Sequence, residues 1–146
     1  MLNLKELVFL TDTDTTIGFV SQNYKKLSII KNRLPNKHYI KALSSLKELK
    51  KDTRVPTIHK NRVRRAKRTT FIIKSKSYRV IKDKNHLLLL KRLKWAYTTS
   101  ANLSGKEYKK SFAKNSCDIE VSSNLDRVKN SSKIYRLNNL NIKRVR

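Results

Sequence analysis

Apolar residues occur in short clusters, and this pattern is what most limits the folds open to the chain. No apolar run exceeds four residues, and typical examples are residues 7–10, 71–73 and 87–90. Runs of this length fit buried strands or one face of a helix, and they are far too short to cross a bilayer. Because such clusters recur along 146 residues, we expect one domain with one buried core and not a disordered chain.

Strand-like and helix-like patterns alternate along the chain. Stretches typical of strands occur at residues 4–12, 15–20, 39–43, 69–73, 77–81 and 95–99, and around Ile119 and Ile134. Helices are predicted after the capping residues Ser21, Ser45 and Asn85, and again at residues 106–114. Residues 74–76 fit a hairpin connection. This intermixing predicts an α/β or α+β fold around a mixed sheet.

The C-terminal residues, the cysteine and the histidines suggest no catalytic side chain and no metal site. Residues 138–146 are expected to form a basic C-terminal tail. The single cysteine, Cys117, cannot form an internal disulfide, and it lies in an alternating stretch typical of a half-buried strand thiol. The three histidines are too scattered for a metal site or a triad.

Since no secretory signal pattern occurs, we expect a cytoplasmic protein with no membrane partner.

Positive charge is concentrated in the middle of the chain. The formal net charge is +26 at pH 7, and residues 31–94 hold 22 Lys and Arg against three acids. Such a field attracts polyanions but says nothing about fold. Residues 60–68 are almost all basic, and RNA is a candidate partner for Arg62, Arg64, Arg65, Lys67 and Arg68. A solvated lysine-rich surface and genome composition are the alternatives, so charge alone supports phosphate binding and not a particular nucleic acid.

Glycine is nearly absent, which draws attention to where it is kept. The chain has two glycines, whereas a chain of this length averages on the order of ten. We expect such a chain to keep glycine where the backbone needs positive φ or where a ligand approaches closely. Gly18 lies in Thr-Asp-Thr-Thr-Ile-Gly-Phe at residues 13–19, and Gly105 ends Thr-Ser-Ala-Asn-Leu-Ser-Gly at residues 99–105. Ordinary turns are the alternative explanation for each.

A third segment of interest is Lys-Asn-Arg-Leu-Pro-Asn-Lys at residues 31–37. Lys31, Arg33 and Lys37 could converge on one anion, because lysine supplies a point charge and arginine a two-pronged hydrogen-bond donor. A basic helix end that satisfies its own carbonyl groups is the alternative.

Taken in this order, the three segments resemble the YrdC family, which includes the threonylcarbamoyl-AMP synthases of tRNA modification. Residues 13–19 match the family motif Thr-Asp/Glu-Thr-x-Tyr-Gly-Leu, with Ile17 at the tyrosine. Residues 31–37 match a Lys-x-Arg motif followed by proline and lysine, and residues 98–105 match Ser-Thr-Ser-Ala-Asn-Leu-Ser-Gly almost fully. Weaker matches lie at residues 69–71, 79–86 and 131–134. The resemblance extends over residues 7–137, so the domain is assigned to residues 1–137.

The resemblance implies a twisted open sheet flanked by helices, with a deep basic cleft that binds ATP with Mg²⁺, L-threonine and bicarbonate. Family synthases release pyrophosphate and form threonylcarbamoyl-AMP, and partner proteins pass its acyl group to tRNA. It further implies an ATP-binding set of Lys31, Arg33, Lys37, Ser100 and Asn102. Thr13, Thr15 and Arg79 are implied to form the pocket for threonine or carbonate.

Departures from the family pattern leave other functions open. Asp12 stands where the family has proline, and Lys67-Arg68 stands where it has Gly-Pro. One alternative is a non-catalytic YrdC-like module that binds tRNA or ribosomal RNA. A small basic ribosome-associated protein with accidental motif matches is the other.

Overall fold

A mixed sheet organises the part of the chain that the structure, a computed structural model, describes: residues 3–13, 15–34, 37–121 and 131–146. Its strands are β1 Phe9–Asp12, β2 Ile17–Ser21, β3 Ile40–Leu43, β4 Thr69–Ile73, β5 Lys76–Val80, β6 Trp95–Ser100, β7 Ile119–Glu120, β8 Lys133–Leu137 and β9 Ile142–Arg144. Its helices are α1 Tyr24–Lys31, α2 Leu46–Asp52, α3 Lys60–Arg65, α4 Lys84–Leu93 and α5 Lys110–Ser116. Short 3₁₀ turns occupy Leu4–Glu6 and Thr57–His59. The predicted mixed α/β class is confirmed.

The nine strands that the described residues form have the order β7-β1-β2-β6-β3-β5-β4-β8-β9. The pairs β1–β7, β3–β5 and β4–β8 are parallel, and the other neighbours are antiparallel. Ala42 in β3 lies opposite Arg79 on one side and Ala96 on the other. Since cross-strand partners share a face, Arg79 lies on the same face of the sheet as these two alanines.

The two faces of the sheet are covered unequally. On one face, α1 and α5 pack in a cluster around Phe19, and α2 and α3 pack around Phe71 and Tyr78. On the other face, the leucines of α4 pack against Val20, Ala42 and Ala96. Strand side chains alternate between faces, so Arg79 projects from the same face of the sheet that α4 covers. Helix α4 leaves the part of this face around Arg79 uncovered.

Capping explains where the helices begin. The Ser45 hydroxyl accepts a hydrogen bond from the Glu48 N–H at 3.2 Å, which confirms the predicted cap of α2. The cap of α1 is Asn23 and not Ser21, because Ser21 still belongs to β2. The cap of α4 is Asp83 and not Asn85. In both corrected cases the cap side chain reaches the N–H three residues ahead, which is the ordinary capping geometry.

Three expectations from the sequence were wrong in local structure. Residues 4–6 form a 3₁₀ turn instead of the start of a strand. Helix α5 begins at Lys110 and not at residue 106, because the Asn102 side chain donates to the Lys106 carbonyl and holds that segment in a turn. Residues 142–144 are no tail: they form β9, whose Ile142 packs on the core while Lys143 and Arg144 are exposed. The strand was not predicted because basic residues dominate this stretch and only Ile142 packs on the core.

The glycine expectation is confirmed at Gly105, whereas Gly18 is close to the protein's own backbone and not to a ligand. Gly105 has φ of +76°, and a Cβ on Gly18 would lie 2.8 Å from the Thr99 carbonyl oxygen. The close neighbour of Gly18 is therefore backbone of β6. Among the residues that the structure describes, positive φ is also adopted by five that are not glycine: Asn32, Arg68, Lys74, Ser75 and Lys94. Lys74 and Ser75 form the turn of the predicted β4–β5 hairpin.

Candidate functional site

A cavity of about 280 Å³ opens on the α4 side of the sheet, where the β1–β2 turn meets the ends of β3 and β6. Its volume lies near the lower end of small-molecule sites, roughly 300–1,000 Å³. Hydroxyl groups supply much of its lining, and three guanidinium groups line it as well: Arg33, Arg79 and Arg146. This combination suits an anionic ligand with further hydrogen-bonding groups.

Arg79 is held at the base of the cavity by hydroxyl groups from three distant segments. Its side chain donates to Thr15 Oγ1 at 3.0 Å, to Thr70 Oγ1 at 3.0 and 3.1 Å, and to Ser132 Oγ at 3.0 Å. The residue is only 4% exposed. A buried arginine fixed by several hydrogen bonds has a defined orientation, so its planar group is organised before a ligand arrives.

The turn between β1 and β2 is organised by Thr13. Its hydroxyl oxygen accepts from the N–H groups of Thr15 at 3.3 Å and Thr16 at 3.1 Å, and it donates to the Thr16 carbonyl. Gly18 allows this turn to pack directly on β6, because a Cβ there would lie 3.0 Å from Thr13 Cγ2 as well as against the Thr99 carbonyl. The motif at residues 13–19 thus brings Thr13 and Thr15 to the cavity wall.

Lys31 lies beside the cavity without lining it. Its ammonium group donates to the Ser100 carbonyl at 2.8 Å and to the Asn102 carbonyl at 2.7 Å, with Asn102 Oδ1 at 3.4 Å. The side chain is 3% exposed, and burial, followed by repulsion from Arg33, lowers its pKa to about 8. Lys31 therefore fixes the segment after β6, and in this structure its three hydrogen-bond donors all point to that segment.

Arg33 and Arg146 both belong to the lining of the cavity. The Arg33 guanidinium lies 4.6 Å from the centre of the Tyr39 ring and donates to the His38 carbonyl at 3.1 Å. Its buried Nε has no hydrogen-bond partner within the described ranges. Arg146 donates to the Ser132 carbonyl at 3.1 and 3.2 Å. The charges of the two arginines favour an anionic ligand.

The residues implied for ATP binding separate into three groups. Arg33 and Ser100 line the cavity. Lys31 and Asn102 bond to one another and shape its wall, and the Asn102 amide donates to the Leu103 and Lys106 carbonyls. Lys37 is exposed and does not line the cavity. Asp14 and residues 35–36 of the matched motifs lie outside the described residues.

The five residues assigned to RNA are all exposed, on α3 and on the loop that follows it. Arg62 lies 5.9 Å from the centre of the Tyr135 ring, and Arg64 donates to Asn61 Oδ1 at 2.8 Å. Lys67 and Arg68 lead into β4, and the Arg68 carbonyl accepts from the Lys133 N–H. None of the five lines the cavity as the described residues define it. Their proposed role in RNA binding stays a prediction.

Three residues at or next to the cavity were given no role from the sequence. Thr70 bonds to Arg79 without lining the cavity, whereas Ser132 bonds to Arg79 and lines it, and both sit in weak motif matches. Arg146 was assigned to a tail, and only the pairing of β9 with β8 would have placed it at the site. No group of three or more His, Cys, Asp or Glu within the described ranges could hold a metal ion. Nor does any helix described here have the length and apolar character to cross a membrane.

No protein-family model matches the chain. It is 34% identical over 103 residues to the uncharacterized MG259 homolog of Mycoplasma pneumoniae, and 35% identical over 106 residues to the uncharacterized protein MG259 of Mycoplasma genitalium. These matches cover 67% and 69% of this chain but only 21% and 22% of those proteins. The chain thus spans about a fifth of the length of the curated relatives it matches.

Several solved structures match nearly the whole length of this chain in fold. P. abyssi Sua5 complexed with L-threonine has a TM-score of 0.79 at 15% identity, over 98% of this chain and 51% of that one. E. coli YciO has a TM-score of 0.74 at 16% identity, over 96% and 82%. Full-length HypF in its phosphate- and nucleotide-bound form has a TM-score of 0.77 at 17% identity, over 98% and 27%. The chain therefore has the YrdC-like fold of these proteins.

Proposed function

We propose that the chain is a threonylcarbamoyl-AMP synthase-like member of the YrdC family that acts in tRNA modification, with ATP, L-threonine and bicarbonate as substrates. The observation that carries the proposal is the cavity, in which Arg79 is fixed by three hydroxyl groups while Arg33 and Arg146 complete the lining. The L-threonine complex of Sua5 and the nucleotide-bound form of HypF, two proteins of the same fold, support this substrate class.

Each substrate has a matching group in the cavity. The N–H groups of Arg79 donate to Thr15, Thr70 and Ser132. Its fixed positive charge, and not a two-pronged hydrogen bond, therefore suits the carboxylate of threonine or the carbonate group. Arg33 suits the phosphates, because this positively charged residue belongs to the lining of the cavity. Ser100, held by Lys31 through its carbonyl, suits the nucleotide.

The proposed reaction relies on positioning and charge. The amine of threonine and bicarbonate combine to a carbamate with loss of water. A carboxylate oxygen of this carbamate then attacks the α-phosphorus of ATP, which forms the new P–O bond and breaks the bond to pyrophosphate, and negative charge develops on the departing oxygen. Fixed cations that face this charge lower the barrier without any nucleophilic side chain. Since the described residues contain no metal-ligand cluster, we expect Mg²⁺ to arrive with the phosphates of ATP.

The test is pyrophosphate release by the full chain, supplied with ATP, Mg²⁺, L-threonine and bicarbonate. We expect release that requires all four, and a loss of about 100-fold or more in Arg33→Ala, since one stabilising donor is worth roughly that much. Arg92→Ala, which removes an exposed charge from the end of α4, is the matched control and keeps full activity. Release no higher than background, in the parent and in both variants, would reject the synthase assignment.

A second candidate, a YrdC-like module that binds RNA without catalysis, is favoured by the exposure of all five basic residues of α3 and its loop. Calorimetric titration separates the two candidates. If ATP and threonine each strengthen the binding of the other, the synthase is supported. Binding of ATP that threonine does not affect supports the module.

A further inference from the structure

A second concave surface lies on the sheet face opposite the cavity, between α2 and α3. It is a groove of about 460 Å³ lined by Leu46, Lys47, Lys50, Lys51 and Arg64, which we call the α2–α3 groove. Val63 of α3 packs in the same core cluster as Leu46 and Leu49 of α2, and this contact fixes the two helices side by side. The walls of the groove are therefore rigid helices and not loops.

The cations of the groove follow from helical spacing. Lys47, Lys50 and Lys51 are at positions i, i+3 and i+4, so they share one exposed face of α2. Both acids of α2 are paired with lysine: Glu48 with Lys51 at 3.1 Å and Asp52 with Lys41 at 2.6 Å. From residue 45 to residue 68 the sequence has ten Lys and Arg against these two acids. The groove thus keeps a strong net positive charge.

The chemistry of the groove favours a phosphodiester chain over a lipid surface. No large exposed apolar side chain found among the described residues belongs to α2 or α3, and Ile58 lies in the 3₁₀ turn just before α3. One such residue does not make the apolar face that interfacial helices insert into a bilayer. A row of lysines with an arginine across a concave strip matches repeated phosphates, which such cations bind while releasing counterions.

We infer that the α2–α3 groove binds the phosphodiester backbone of a nucleic acid, on the sheet face opposite the cavity. The inference does not depend on the chemistry proposed for the cavity. It adds Lys47, Lys50 and Lys51 to the basic residues of α3, and it separates the nucleic-acid surface from the small-molecule site.

The experiment measures the affinity of the full chain for a fluorescent RNA duplex and a DNA duplex of the same sequence, between about 50 and 200 mM salt. The variant Lys47→Gln/Lys50→Gln/Arg64→Gln neutralises the groove. The control Lys25→Gln/Lys91→Gln/Arg92→Gln removes three exposed cations from α1 and α4. We expect the groove variant to lose affinity about tenfold or more, and its salt slope to fall by about two to three, while the control changes little.

Three results would overturn the inference. The first is equal loss in the groove variant and the control, since it would assign binding to net charge alone. The second is a groove variant that binds both duplexes like the parent chain. The third is equal or tighter binding of phosphatidylserine vesicles or polyglutamate, which would identify a membrane or an acidic protein as the partner. The inference is supported if the groove variant binds either duplex more weakly than the parent chain and the control do. Pyrophosphate release, where present, is unchanged in the groove variant, so this test and the cavity test fail separately.

Discussion

The Lys31 ammonium group donates a hydrogen bond to the carbonyl of Asn102 at 2.7 Å, and this contact ties the end of α1 to the turn that follows β6. The Ser104 N–H returns a hydrogen bond to the Lys31 carbonyl at 3.2 Å. Two segments that the sequence separates by about 70 residues are thereby fixed to one another. The basic motif and the Ser-Ala-Asn motif form a single structural unit.

Replacing Lys31 by methionine is expected to loosen residues 100–105 with little change in global stability. The loss of charge-assisted hydrogen bonds and the relief of burying a charge act in opposite directions, so the free energy of unfolding changes by about 1 kcal/mol or less near pH 7. Hydrogen exchange at the Ala101 and Ser104 amides should become about tenfold faster, while the β4–β5 hairpin is unaffected. Unchanged exchange at these two amides would contradict the role assigned to Lys31, and Lys25→Met is the control.

The lowered pKa of Lys31 predicts a specific dependence of stability on pH. Because its folded pKa is about 8 and its ordinary value is 10.5, the folded chain binds fewer protons here than the unfolded chain between these limits. The free energy of unfolding therefore gains a contribution that rises with pH across this window, by up to about 1.4 kcal/mol per pH unit.

Urea unfolding of the parent chain and Lys31→Met at about pH 7.5 and 9.5 isolates this contribution as a difference between the two proteins. Burial raises the pKa values of Tyr78 and Tyr97, but both tyrosines are present in both proteins, so their effects cancel. We expect the parent chain to gain stability relative to the variant as pH rises. A difference that stays constant with pH would show that Lys31 titrates normally.

Gly18→Ala is expected to destabilise the fold by about 2 kcal/mol, because the new Cβ would meet the Thr99 carbonyl at 2.8 Å and neither strand can move freely. Gly105→Ala meets no atom within 4 Å and is limited to the strain of its positive φ, about 1 kcal/mol. Denaturant unfolding measures both changes. The order of the two effects is the test, and a larger loss in Gly105→Ala would contradict the packing described for Gly18.

Ser75→Gly is expected to stabilise the chain by about 1 kcal/mol. Ser75 has φ of +68° in the β4–β5 turn, where glycine avoids the steric cost of a side chain. Thermal unfolding should show a rise of about 2–4 °C. Ser111→Gly within α5 provides the matched control, since glycine in a helix lowers stability by about 0.5–1 kcal/mol. A fall in stability for both variants would contradict the turn geometry.

Local pattern was sufficient to predict the mixed fold, the β4–β5 hairpin and the cap of α2. Alternation and capping depend on neighbours within a few residues, so a sequence displays them directly. Contacts between residues that are far apart in the sequence could not be predicted in this way. The bond between Lys31 and Asn102, and the roles of Thr70 and Ser132 around Arg79, arise only when the sheet brings remote segments together. β9 was missed because its pairing with β8, and not its composition, makes it a strand.

The cavity wall joins Thr15, Arg79, Ser132 and Arg146, which are spread along nearly the whole sequence. A chain emerging from the ribosome can form α1 or the β4–β5 hairpin early, but it cannot complete this wall until Arg146 has left the exit tunnel. Contacts between such remote positions also form late in folding, because closing long loops costs entropy before any contact is gained. A ligand that needs the complete wall could therefore bind only after Arg146 has left the tunnel, and chains in which Arg146 is still inside it would not bind.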